Sequence, residues 1–173
     1  MDQDLEFLFN KITDPNESEA FVYADKLGLK ADKAAKDKLL ELIKGENWEI
    51  AYLACRALSK TIWQDEALDA IFEVIYDKKN KNHQGAFVQI LEEYDLSLRF
   101  VDIFRVYLFG NFNASTLAKD YLDEVEFEIT PRTIRKAEKH WNHYIHNPED
   151  EGSFLIKKAE IEPMLLEMKE LFS

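Results

Sequence analysis

"LLELIKG" at residues 39–45, "IFEVIYD" at 71–77 and "IFRVYLF" at 103–109 recur at a fixed spacing of 32 residues, each opening apolar, apolar, charged, apolar, apolar. The apolar columns are Leu39, Ile71 and Ile103; Leu40, Phe72 and Phe104; Leu42, Val74 and Val106; and Ile43, Ile75 and Tyr107. Glu41, Glu73 and Arg105 form the one polar column. At about 100° per residue the apolar positions cover roughly 160° of a helix, and the charged one points away from them. A stripe that wide predicts contact with more than one neighbouring helix.

Each stretch is followed by a turn signal and a second helical pattern. Gly45 suits a helix end and Asn47 an N-cap for "WEIAYLACRALSK" at 48–60. "KKNKN" at 78–82 precedes "HQGAFVQILEEY", and Gly110 closes a helix before Asn113 opens "ASTLAKDYLDEV". Upstream, "LEFLFNKI" is followed by Asp14 as a cap and Pro15 as the first helical residue of a segment containing "SEAFVYADKL". Ala20-Phe21-Val22, Ala51-Tyr52-Leu53 and Ala86-Phe87-Val88 echo one another at spacings of 31 and 35 residues. The expected unit is helix, turn, helix, and a fixed period predicts that such pairs stack to bury one continuous core. The fold class is all-α.

"ENWEIAYLACRALSK" at 46–60 resembles the second helix of a HEAT repeat, with small and apolar residues around Arg56-Ala57-Leu58. Residues 1–128 as a whole resemble the short HEAT-like, armadillo-type repeats of bacterial proteins, although a period near 32 is shorter than the roughly 40–47 residues of full units. The resemblance implies a right-handed α-solenoid of about four helix pairs. The repeat pattern is lost from about Asn147, so the array is expected in residues 1–146, with a C-terminal connection and capping helix in 147–173. The resemblance also implies a concave face lined by the second helices. With Ile50, Leu53, Ala54, Ala57 and Leu58 as core, Tyr52 and Arg56 turn outward. Core positions at Phe87, Ile90, Leu91 and Tyr94 turn Gln89 and Glu93 outward; Leu117, Tyr121 and Leu122 inward leave Lys119 and Asp123 outside. These six, Tyr52, Arg56, Gln89, Glu93, Lys119 and Asp123, are the expected partner-binding surface.

The chain of 173 residues is long enough to bury a sizeable core. Its 46% hydrophobic and 32% charged residues, with five Gly and four Pro, favour long helices. "MDQDLEFLFN" carries acids where a secretory leader carries bases, and no apolar run approaches the roughly 18 residues of a membrane span, so a cytoplasmic location is expected. Cys55, the single cysteine, can form no internal disulfide and sits in an apolar run that predicts packing alone. Thirty-four acids against 22 bases give a net charge of −12, which disfavours nucleic acid and favours a basic partner.

The residue types that carry chemistry do not assemble into a catalytic pattern. In "KHWNHYIHN", His140 and His143 or His143 and His146 share a helical face pairwise, but His140 and His146 lie about 120° apart, so no metal site is expected. "NPEDEG" at 147–152 resembles a calcium loop only faintly, because Lys158 stands where the bidentate Glu belongs. No phosphate-cradling glycine loop or nucleophile elbow occurs, and no cofactor is expected. Charge sign flips at Thr130: five acids in residues 120–128 give way to Arg132, Arg135, Lys136 and Lys139 on a helix capped by Thr130 and opened by Pro131. Pro163 is expected to open a last helix, "MLLEMKELF", whose Met164, Leu165, Met168, Leu171 and Phe172 would cap the array.

These observations favour a non-catalytic protein-binding scaffold, an adaptor or inhibitor with an acidic recognition surface, acting as a monomer or weak homo-oligomer. Two alternatives belong to other classes. One is an enzyme on HEAT-like repeats resembling helical DNA glycosylases or bilin lyases; the other is a nucleic-acid binder using helix 131–146.

Overall fold

The computed structural model describes residues 1–173 and contains ten α-helices and no strand. They are α1 (Gln3–Thr13), α2 (Ala20–Lys30), α3 (Lys33–Ile43), α4 (Trp48–Leu58), α5 (Gln64–Tyr76), α6 (Gln84–Gln89), α7 (Phe100–Phe109), α8 (Phe112–Glu124), α9 (Pro131–His146) and α10 (Glu151–Glu170). Short 3-10 turns at Lys78–His83 and Ile90–Glu93 flank α6. No helix is long and apolar enough to cross a membrane. The chain divides into two compact units, Met1–Asp95 and Leu96–Ser173.

Side-chain caps set most of the helix starts. Asp2, Asp32, Asn47, Asn111, Thr130 and Asp150 each accept a hydrogen bond from a backbone N–H of the first turn, satisfying a donor that the helix itself leaves open. Thr130 and Thr133 close a reciprocal capping box ahead of Pro131. Three boundaries differ from those the sequence suggests. Asp14 ends α1, and its carboxylate accepts from Asn16 N in a turn that carries Pro15, so α2 starts only at Ala20. Asn111, directly after Gly110, caps α8, which leaves Asn113 inside the helix. Pro163 does not open a helix but lies within the 20-residue α10. The carbonyl it deprives of a donor belongs to Ala159, an exposed residue, so water can take the place of the missing N–H.

The repeated segments occupy α3, α5 and α7, and ten of their twelve apolar column residues are buried. Leu40 and Leu42, at the two edges of the stripe on α3, are half-buried, whereas α5 buries the corresponding Phe72 and Val74 because α3, α4 and α6 all pack against it. Glu41 and Glu73 face solvent, as the polar column requires.

In the first unit α2 packs between α1 and α4, and α3 between α4 and α5. Contacts between α2 and α4 advance in the same direction along both helices: Phe21 meets Tyr52, Asp25 meets Arg56, and Gly28 meets Ala57. The two helices therefore run parallel at an offset close to 31 residues. A Cβ on Gly28 would overlap the carbonyl oxygen of Ala57 and lie 2.9 Å from Cβ of Lys60, so this approach requires glycine. The segment after the 3-10 turn at Ile90–Glu93 is tied to α4 by the hydroxyl of Tyr94, which donates to Cys55 O at 2.6 Å in the core. Cys55 is fully buried, and burial pushes its thiol far above the ordinary range, which keeps it protonated and unreactive.

In the second unit α7 packs on both α8 and α9, and α9 on α10. Ala114 and Ala118 make up the buried face of α8, while Leu117, Tyr121 and Leu122 are half-buried. Small residues bring α8 close to α7, where Ser115 Oγ donates to Tyr107 O at 2.6 Å. Of the residues expected to cap the array, Leu165 and Met168 are buried, Met164 is half-buried, and Leu171 and Phe172 are exposed.

Phe72→Asp should unfold the first unit, because an unpaired carboxylate at a buried position costs several kcal/mol. Glu73→Ala should change stability by no more than about 0.5 kcal/mol. Thermal denaturation of the two variants side by side checks the assignment; equal shifts would contradict it.

Candidate functional site

The parallel packing of α2 on α4 builds the most distinctive surface of the first unit. Ala24, Leu27 and Gly28 point inward from α2 and are buried. The opposite face of the helix carries Val22, Lys26 and Leu29, all exposed. Phe21 and Tyr23, about 200° apart around the helix, occupy its two flanks. On the α4 flank Phe21 stands edge-on to Tyr52, with ring centroids 6.0 Å apart and planes at 90°. On the α1 flank Phe7 meets Tyr23 in the same way, at 6.0 Å and 83°. Phe7 and Phe21 remain 52% and 51% exposed, well above what core aromatics retain. Two aromatic pairs thus frame an exposed strip in which Lys26 separates Val22 from Leu29.

Cations are fixed along both flanks. Arg56 donates through Nε and Nη2 to the two carboxylate oxygens of Asp25 at 2.8 and 2.9 Å, and its guanidinium lies 5.2 Å from the Phe21 ring centre. The hydrogen bonds to Asp25 raise the Arg56 pKa, so the group is always charged. Lys11 sits over the rings of Phe7 and Tyr23 at 5.6 and 5.3 Å, held by an ion pair to Glu17 at 2.8 Å. Each member of that pair favours the other's charged form: the hydrogen bond raises Lys11 and lowers Glu17.

Of the six residues expected to form a recognition surface, three share one electrostatic neighbourhood. Burial is the main cause that raises the Tyr52 hydroxyl, and the carboxylates of Glu92 and Glu93 add to it. Glu93 also supports the charge on Arg56 and pairs with Lys60 at 3.5 Å. Gln89 is exposed at the end of α6. Lys119 and Asp123 belong to α8 of the second unit, where they bond to each other at 2.6 and 2.7 Å. The sequence reading missed Phe21, Asp25 and the flank formed by Phe7 and Tyr23. A signal was present: Phe21-Val22-Tyr23 is an apolar run spanning more of a helix than one buried stripe can cover.

In the second unit the histidines of α9 have separate surroundings. His146 Nδ1 lies 2.6 Å from Asn142 O, the His143 ring is 5.7 Å from that of Phe109, and His140 lines a cavity beside α7. No group of three or more His, Cys, Asp or Glu is arranged to hold a metal ion. Lys157 is only 8% exposed; it donates to Leu108 O at 3.0 Å and lies over the rings of Tyr107 and Tyr144 at 5.5 and 5.1 Å. Burial lowers its proton affinity. An ammonium at a last-turn carbonyl of α7 completes the helix end and complements its dipole, which accounts for this lysine structurally. Tyr107 donates to Glu160 of α10 beside it.

A double-mutant cycle of Asp25→Ala and Arg56→Ala, read by chemical denaturation, should give a coupling of about 0.5–1 kcal/mol, because the pair is bidentate but partly exposed. Zero coupling would show that the ion pair does not hold α2 to α4 in solution.

No family model, no curated protein and no solved structure matches this chain.

Proposed function

We propose that the chain is a non-catalytic protein-interaction module, and that its recognition surface is the outer face of α2 with its flanking aromatic pairs. In this reading the helix pairs are a short HEAT-like, armadillo-type solenoid, supported by the parallel stacking of α2 on α4 near one repeat length. The observation that carries the proposal is the pair of half-exposed phenylalanines, each edge-on to a tyrosine and each beside a cation fixed by its own carboxylate. Exposed aromatics and a pre-organised arginine are the residue types that dominate interface energetics, and their fixed rotamers reduce the entropy lost on binding.

The partner is a protein with an apolar anchor flanked by basic residues. Residues 1–95 hold twenty acids and twelve bases, and Glu92 and Glu93 lie close to Tyr52. Such a field speeds encounter with a cationic surface and is screened beyond about 8 Å at physiological ionic strength.

Immobilised full-length chain and a Phe21→Ser, Tyr52→Ser variant, both verified as folded, provide the test on a native lysate. The parent should retain a basic protein in stoichiometric amount, less of it at high salt, and the variant should lose it. Retention of the same proteins in equal amount on both would overturn the proposal.

A further inference from the structure

The second unit contains a cavity of about 460 Å³ with a charge opposite to that of the whole chain. Its walls are α7 and the flank of α9 that faces it. Arg105, Arg132, Lys136, Lys139 and His140 contribute nitrogen donors; Asp102 and Glu128 are the carboxylates in the wall. Leu98, Phe100 and Val101 form an apolar end. On α9 the cations at 132, 136 and 139 fall on one side of the helix, and Thr133 and His140 turn from them toward α7. Four permanent cations against two carboxylates leave the cavity with an excess of two positive charges.

The three cations on α9 are not engaged elsewhere. Arg132, Lys136 and Lys139 form no ion pair within the chain, although the protein carries 34 acids and the α9 carboxylate Glu138 bonds to Lys169 of α10. His140 lies in the same field. Burial, followed by Arg105, Lys139, His143 and Lys136, lowers its pKa, so an additional proton is repelled from the cavity. An anion is the complementary occupant.

We propose that this cavity binds a small phosphomonoester with an apolar body. A phosphomonoester carries about −1.5 to −2 charges at neutral pH, matching the excess in the wall, and its oxygens suit a planar guanidinium beside point-like ammonium groups. The apolar end at Leu98, Phe100 and Val101 receives the rest of the ligand. A strand of nucleic acid fits less well, because its phosphate backbone is repelled by a chain of net charge −12.

Phenyl phosphate is the probe, with inorganic phosphate and a single-stranded oligonucleotide as comparisons, titrated into the full chain by calorimetry. Phenyl phosphate should bind one to one with Kd of about 1 mM or tighter, and inorganic phosphate about tenfold more weakly for want of the apolar contact. Arg132→Gln, Lys136→Gln and Lys139→Gln together replace exposed residues, so the triple variant should keep the parent's melting temperature. It should bind phenyl phosphate at least about tenfold more weakly. In the parent, saturating ligand should raise the midpoint of the His140 ring resonance in an NMR pH titration, because a bound anion offsets Arg105, Lys136 and Lys139. No binding by about 10 mM, or equal affinity in parent and triple variant, would overturn the proposal. Equal affinity for inorganic phosphate would refute the assigned ligand class. An oligonucleotide that binds more tightly than phenyl phosphate and is lost in the triple variant would replace it with a nucleic-acid surface.

Discussion

Everything distinctive about the first unit depends on how closely α2 can approach α4. At Gly28 the backbone of one helix rests against the carbonyl of Ala57 in the other, with no room for a side chain between them. That approach sets the register. Asp25 then falls opposite Arg56 and Phe21 opposite Tyr52, and the outer face of α2 is carried to the surface between two aromatic pairs. A larger residue at the crossing would lift α2 and move these partners apart together, because they lie on the same helix face within two turns.

The same contact explains why the aromatic and basic residues of this surface are held in place although partly exposed. A free arginine on a helix samples many rotamers, whereas the guanidinium of Arg56 is fixed from two sides, by a carboxylate and an aromatic face. Lys11 is fixed likewise by Glu17 and two rings. In the second unit the cations of α9 are arranged differently. Arg132, Lys136 and Lys139 form no ion pair and line a cavity, so their charge is available to a ligand instead of to the fold. One chain thus places its basic residues in two ways, beside aromatic rings and in the wall of an open cavity.

Much of the fold was legible in the sequence because burial on a helix has a period. The columns at 39, 71 and 103 and at 43, 75 and 107 are buried as their spacing predicts, and Asn47 and Thr130 cap the helices they were expected to cap. Boundaries were less legible where neighbouring residues offered competing signals. Asn111 and Asn113 are both able to cap, and only the chain direction after Gly110 decides between them. Pro163 reads as a helix start, yet an exposed carbonyl four residues earlier lets α10 continue through it. The surface was legible in part. Tyr52, Arg56 and Glu93 followed from turning core residues inward, but Asp25 is an ordinary acid in the sequence until α2 is laid on α4 in the 31-residue register. The cavity beside α9 was visible only as a change of charge sign at Thr130, since Arg105 reaches it from another helix.

Chemical denaturation of Gly28→Ala tests the governing contact most directly, because the two possibilities differ in sign. Within an unobstructed helix this substitution stabilises by roughly 1 kcal/mol through backbone propensity alone. The close approach to Ala57 predicts instead a loss of about 1–3 kcal/mol, as expected when a methyl group is forced into a packed interface. A neutral or stabilising effect would mean that α2 and α4 do not meet at Gly28, and the register that assembles Phe21, Asp25, Tyr52 and Arg56 would be wrong.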